Sequence, residues 1–157
     1  MSCVSLDTGV IVEYIDLKGK LHRQAEAIIE KVLAGKLLAI IPHPTLAETY
    51  YVSARIYEKL GLDTPDQRSE ELVKWLYKSP NFALEEPSFE LALLVGRIKR
   101  RFNLALTDAY VIATSKLYKG KAVFRKRERE MVEKLTELTK SYDIVFLEDY
   151  NPSFLRP

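Results

Sequence analysis

The chain has 157 residues, of which 47% are apolar and 29% charged, and its net charge is +2. That size suits one domain, residues 1–157, able to bury a core without a disulfide or a structural metal. A single cysteine, Cys3, excludes an intrachain disulfide and a cysteine zinc cluster, and the only histidines, His22 and His43, lack the spacing of a metal pair.

Val4–Leu6 reads as a short apolar strand ending in a turn, and 10–15 as a short helix after it. The apolar spacing of Ala25, Ile28, Ile29, Val32 and Leu33 predicts a helix over 22–34, closed by Gly35. Leu37–Ile41 is a buried-strand candidate, followed by a helix over 45–60 that Gly61 stops. Thr64-Pro65-Asp66 has the cap-then-proline order that opens a helix, here to about Tyr77. A brief strand at 82–84 precedes a helix opened by Pro87 and running to Arg101. Thr107 is placed to cap the next helix, which ends near Gly120. A strand at 121–124, one long charged helix over 128–140, a strand at 143–147 and an extended tail from Glu148 complete the chain. Short apolar strands alternating with helices predict an α/β domain with a mostly parallel sheet, whose ligands bind outside the carboxyl ends of the strands.

No apolar run reaches the roughly 20 residues of a membrane span, and no basic stretch precedes an apolar one at the N-terminus. A cytoplasmic protein is therefore expected. The small net charge hides a segregation. Between Arg97 and Arg129 eleven Lys and Arg face two acids, a surplus of nine, while the remainder has thirteen bases against twenty acids, a deficit of seven. A basic region of this size attracts phosphates, and it is equally the composition of a solvated surface.

Three acids stand where strands end or helices begin. Asp7 directly follows the first strand, and a helix cap or a ligand role fits it. Glu48 lies in the first turns of the helix after the second strand, where it either complements the helix dipole or faces a site. Asp108 opens a segment that is apolar on nearly every side, which is costly for a carboxylate unless it is paired, bound to a metal or set against the helix end. Convergent carboxylate oxygens with waters suit Mg²⁺ or Mn²⁺. A covalent aspartyl phosphatase is disfavoured, because Gly9 occupies the position where its second aspartate belongs. His43 is open to a general-base or a plain loop role. Tyr50, Tyr51, Tyr57, Trp75 and Tyr77 read as core or dimer surface before they read as base-stacking platforms.

With Val4-Ser-Leu-Asp7-Thr8, Pro44-Thr-Leu-Ala-Glu48 and Leu106-Thr-Asp108-Ala-Tyr-Val-Ile-Ala113 in this order, the chain resembles the PIN-domain nucleases, including the VapC-type toxins of toxin–antitoxin pairs. The resemblance implies a three-layer α/β/α fold with a parallel sheet, and Mg²⁺- or Mn²⁺-dependent cleavage of RNA, frequently by homodimers. It carries Asp7, Glu48 and Asp108 over as metal ligands and Thr8 as polar support. A toxin role further implies an antitoxin whose segment crosses the site. The sequence departs from the family after the fourth strand, where a Ser/Thr-x-Asp motif is usual and Arg125-Lys126-Arg127-Glu128 stands instead. Glu128 is then either a substitute fourth acid or the first-turn acid of the final helix, and Arg125, Lys126 and Arg127 are candidates for RNA backbone contacts. A catalytically silent RNA-binding or partner-binding module on the same scaffold is the alternative reading.

Overall fold

The structure is a computed structural model, and it describes residues 2–151. Its centre is a five-stranded sheet of β1 (Cys3–Leu6), β2 (Leu38–Ile41), β3 (Phe82–Leu84), β4 (Lys121–Phe124) and β5 (Ile144–Phe146). Every neighbouring pair is parallel and the order is β3-β2-β1-β4-β5. The chain winds outward from β1 to one side through β2 and β3, then returns to lay β4 on β1's other side. The crevice at the carboxyl ends of β1 and β4 is therefore the switch point where sheets of this kind bind ligands.

Side-chain alternation along the strands creates a core on each face. Val4, Leu6 and Val123 point into one, with Val10 and Ile11 of α1 (Thr8–Ile15), Ala25 and Ile29 of α2 (His22–Leu33), and Leu76 of α4 (Pro65–Lys78). Ala122, Phe124 and Phe146 point into the other, with Val95 and Ile98 of α5 (Phe89–Phe102), Val111 and Ile112 of α6 (Leu106–Leu117), and Leu138. The layers are α/β/α, as expected. α3 (His43–Lys59) packs along α4, where the buried hydroxyls of Ser53 and Ser69 meet at 2.7 Å. No helix among the described residues is long and apolar enough to cross a membrane.

Several boundaries differ from the sequence expectation. α6 begins before Thr107: its cap position is Ala105, without a side-chain cap bond, and Thr107 lies inside the helix. Fully buried Leu104 anchors the approach, and the Ala109 N–H to Ala105 carbonyl bond (3.0 Å) already closes the first turn. Ser88, not Pro87, caps α5, its hydroxyl accepting from the Leu91 N–H at 3.1 Å. Thr64 occupies the cap position of α4 but with φ +54° and no side-chain bond. The long helix expected over 128–140 is two, α7 (Arg129–Val132) and α8 (Leu135–Ser141). At the break the Lys134 N–H closes a tight bond to the Met131 carbonyl (3.0 Å), and the Lys134 ammonium reaches the Phe102 carbonyl at the end of α5. The tail expected to be extended starts as a 3-10 turn over Leu147–Asp149, and the expectation for 152–157 lies outside the described residues.

One buried acid ties the site-bearing helices together. Pro42, the cap residue of α3, offers no side-chain acceptor. Glu85, just past β3, supplies one: its Oε1 accepts the His43 N–H at 3.2 Å, and its Oε2 accepts the Thr114 hydroxyl of α6 at 2.6 Å. Burial raises its pKa, and these two hydrogen bonds oppose the rise.

Candidate functional site

A cleft of about 390 Å³ opens at the carboxyl ends of β1 and β4. Asp7, Glu48, Asp108 and Glu128 all line it, as do Thr8, Arg125 and Glu130. The four acids come from four segments: the end of β1, the second turn of α3, the first turn of α6, and the start of α7. Parallel strands with their helices bring these distant positions to one edge, which is why the carboxylates converge.

Asp7 caps the helix that follows it and also lines the cleft. Its backbone N–H donates to the Val123 carbonyl (3.0 Å), extending the β1–β4 ladder, and its Oδ2 accepts the Gly9 N–H at 3.0 Å as the cap of α1. The same carboxylate faces the cleft. Burial lifts its pKa to about 7; the Gly9 bond opposes that rise, and the charges of Glu48 and Glu128 add to it. Asp108, 8% exposed, is lifted further, to about 8, by burial first and then by Asp7, Glu48, Glu128 and Glu130.

Glu48 is half-buried, and the Tyr51 hydroxyl lies 3.5 Å from its Oε2, a weak hydrogen bond. Glu128 is exposed and occupies the cap position of α7 without making a side-chain cap bond, so its carboxylate is left to the cleft. Glu130 is an acid the sequence reading missed; its only signal was its spacing of two from Glu128. Thr8 is buried at 3% exposure, and its hydroxyl has no hydrogen-bond partner among the described residues. Val52 and Ile56 of α3 add an apolar wall.

The basic triplet after β4 divides. Arg127 turns away from the acids to the end of the chain: it meets Glu148 at 2.9 Å and Asp149 at 2.7 and 2.8 Å, and stacks on Phe146 at 4.4 Å. Arg125 lines the cleft, but its guanidinium pairs with buried Glu13 at 3.3 Å. Lys126 is exposed and lines an adjoining cleft. His43 lies apart from the acids, in a separate hollow with Glu85 and Tyr110. Among the aromatics, Trp75 packs on Phe82 and Tyr14, whereas Tyr50, Tyr51 and Tyr77 are exposed.

The donors fit a hard divalent cation in kind: all are oxygens, and the buried Thr8 hydroxyl has no partner among the described residues. Among the described residues, however, no three Asp, Glu, His or Cys stand close enough to ligate one ion directly. The arrangement suits an ion bound through one or two carboxylates with water filling the rest, the habit of Mg²⁺.

Among curated proteins none matches the sequence significantly. Solved structures do match in fold. A toxin–antitoxin complex from Klebsiella pneumoniae superposes with a TM-score of 0.54 at 18% identity, over 82% of this chain and 90% of that one. Mycobacterium tuberculosis VapC20, described as a toxin that cleaves the sarcin–ricin loop, gives 0.57 at 14%, over 74% and 84%. FitAcB from Neisseria gonorrhoeae gives 0.55 at 17%, over 96% and 98%. The family model of the PIN domain matches residues 4–134, a span that contains every acid of the cleft; the chain belongs to the PIN domain family.

Proposed function

We propose that the chain is a single-domain, metal-dependent ribonuclease that hydrolyses RNA phosphodiester bonds. Membership of the PIN domain family supports a nuclease. The observation that carries the reading is the cleft itself: Asp7, Glu48, Asp108 and Glu128 share it, while Arg125, the one basic side chain on its lining among the described residues, is turned to Glu13. Asp7, Glu48 and Asp108 would hold the ion, one or two of them directly and the rest through its waters, and the Thr8 hydroxyl would hold a water or an ionic ligand beside Asp7. When bound, Mg²⁺ or Mn²⁺ would supply the positive charge that favours hydroxide over water and offsets charge on a phosphate. Glu128 and Glu130 line the cleft, are exposed to solvent, and can accept a proton from an incoming water. Val52 and Ile56 restrict solvent on the α3 wall.

The test is cleavage of a pool of single-stranded RNAs by purified protein with Mg²⁺ or Mn²⁺, alongside Asp7→Asn and a matched DNA pool. RNA cleavage that requires the ion and is lost in Asp7→Asn is the expected result. Equal behaviour of wild type and Asp7→Asn overturns it.

A catalytically silent module is favoured by two specific observations: Lys126 stands where the family's fourth acid is usual, and no three acids among the described residues are drawn close enough to ligate an ion directly. Calorimetric titration with Mn²⁺ separates the two, since the silent module takes up no ion at the cleft. The toxin–antitoxin complex from Klebsiella pneumoniae, which the chain resembles in fold, supports a place for the chain in such a pair, with an antitoxin as its partner. A cytoplasmic homodimer is the assembly we propose, resting on exposed Tyr50, Tyr51 and Tyr77 along α3 and α4; light scattering on the purified chain tests it.

A further inference from the structure

Beside the acid cleft lies a second cleft of about 540 Å³, and Arg125 lines both. One wall is the loop between α1 and α2, carrying Lys18, Gly19 and Lys20; the other is the segment after β4, carrying Arg125 and Lys126. Glu13 clamps the walls together. It is 4% exposed, its Oε1 accepts the Leu21 N–H of the loop at 2.7 Å, and its Oε2 meets the Arg125 guanidinium at 3.3 Å. Gly19 lets the loop lie against this carboxylate: a Cβ there would sit 2.3 Å from Oε1. The cleft is thus built around a buried ion pair, and the loop is not free to drift from the segment it faces.

Its charges are unevenly satisfied. The acids on its lining are engaged, Glu13 with Arg125, Glu148 with Arg127, and Asp16 with the Lys18 N–H at 3.1 Å. The ammonium groups of Lys18, Lys20 and Lys126 are exposed, and no hydrogen bond or ion pair engages them among the described residues. An acidic centre repels a polyanion approaching without its cation. A basic flank one side chain away offsets that repulsion and leaves the acids free.

We infer that this second cleft is a phosphate-binding flank for an RNA strand, in which Lys18, Lys20 and Lys126 contact backbone phosphates next to the one presented to the acids. The inference rests on the ribonuclease reading and assigns the loop between α1 and α2 a role in holding substrate. Lysines bind phosphate as point charges, so they add affinity without sequence preference. Arg125 serves as the partition between the two clefts, and Arg127 belongs to the packing of the chain end.

The experiment measures binding of a labelled single-stranded RNA of mixed sequence, with Mg²⁺ present, to the full chain carrying Asp7→Asn so that the strand stays intact. A flank triple, Lys18→Gln, Lys20→Gln and Lys126→Gln, is compared with a control triple of equal charge, Lys31→Gln, Lys36→Gln and Lys78→Gln, placed near the amino-terminal edge of the sheet where α2 and α4 end. Removing one lysine–phosphate pair flattens the salt dependence of log K by about 0.7, so the flank triple is expected to lower the slope by about 2 and to weaken binding at least about tenfold at 0.1 M salt. The control triple is expected to weaken it less than about threefold. Equal effects in the two triples, or none in either, overturn the inference and leave the ribonuclease reading standing. No RNA binding by the parent overturns both. All six lysines are exposed, so melting temperatures are expected to coincide, which separates weakened phosphate binding from unfolding.

Discussion

Asp108 is the third residue of a helix whose next turn, Val111, Ile112 and Ala113, is fully buried. Such a position keeps water from the carboxylate, and neighbouring acids raise its pKa further, to about 8. A carboxyl whose pKa is raised in the folded state contributes stability at low pH, and that contribution is lost as pH climbs from the unfolded value towards the folded one. In the absence of divalent cation, Asp108→Asn is therefore expected to stabilise the protein more at pH 8 than at pH 5. Thermal melting at the two pH values checks this, each kcal/mol moving Tm by about 2–4 °C in a chain of this size. The same variant is expected to abolish cleavage. The importance of Asp108 was legible from its apolar surroundings. The supposed cap at Thr107 was not the reason: a side-chain cap and a plain backbone start look alike when Leu104 and Leu106 flank the site. Glu13 and Glu85 were illegible, because their partners, Arg125 and Thr114, lie far away along the chain.

At the scale of elements, placement of the acids depends on joints. Glu85 joins the start of α3, which carries Glu48, to the middle of α6, which carries Asp108. Glu85→Ala leaves the fully buried Thr114 hydroxyl without its acceptor and strips α3 of its borrowed cap. A loss of about 1–3 kcal/mol is expected, and Glu85→Gln, which keeps both acceptor and size, is expected to recover part of it. Chemical denaturation measures both. The turn from α6 into β4 depends on close approach: a Cβ on Gly120 would lie 2.5 Å from the Cys3 carbonyl oxygen of β1. Backbone cannot swing aside as a side chain can. Gly120→Ala is expected to push β4 away from β1 and to cost about 1–3 kcal/mol, with weaker amide protection at the Asp7 N–H, which bonds to the Val123 carbonyl. The existence and type of the strands were readable from short apolar runs bounded by turn residues. The division of the 128–140 segment was not, since a charged run with exposed Val132 keeps helical periodicity while Lys134 is claimed by the end of another helix.

For the whole molecule, the decisive fact is the strand order, which periodicity alone does not encode. Laying β4 against β1 brings the residues after both strands to a common crevice, and there Asp7, Glu48, Asp108 and Glu128 line one cleft. Proximity makes their charge a property of the set. As pH rises through about 7 and about 8, Asp7 and Asp108 would both ionise against Glu48 and Glu128. The metal-free protein is thus expected to lose stability between about pH 4 and pH 8, because both folded pKa values lie above the unfolded carboxyl value near 4. A divalent cation binds the ionised set and competes with protons for it, so its stabilisation must grow with pH. Melting temperatures in Mg²⁺ or Mn²⁺ are expected to exceed those in chelator by several degrees at pH 8.5 and to converge below pH 5.5. Glu48→Gln removes one charge from the set, and is expected to flatten the decline in chelator and shrink the gain from the ion together. A gain from Mg²⁺ independent of pH, or one retained in both Asp7→Asn and Asp108→Asn, would place the ion elsewhere on the surface and separate the electrostatics of the cleft from cation binding.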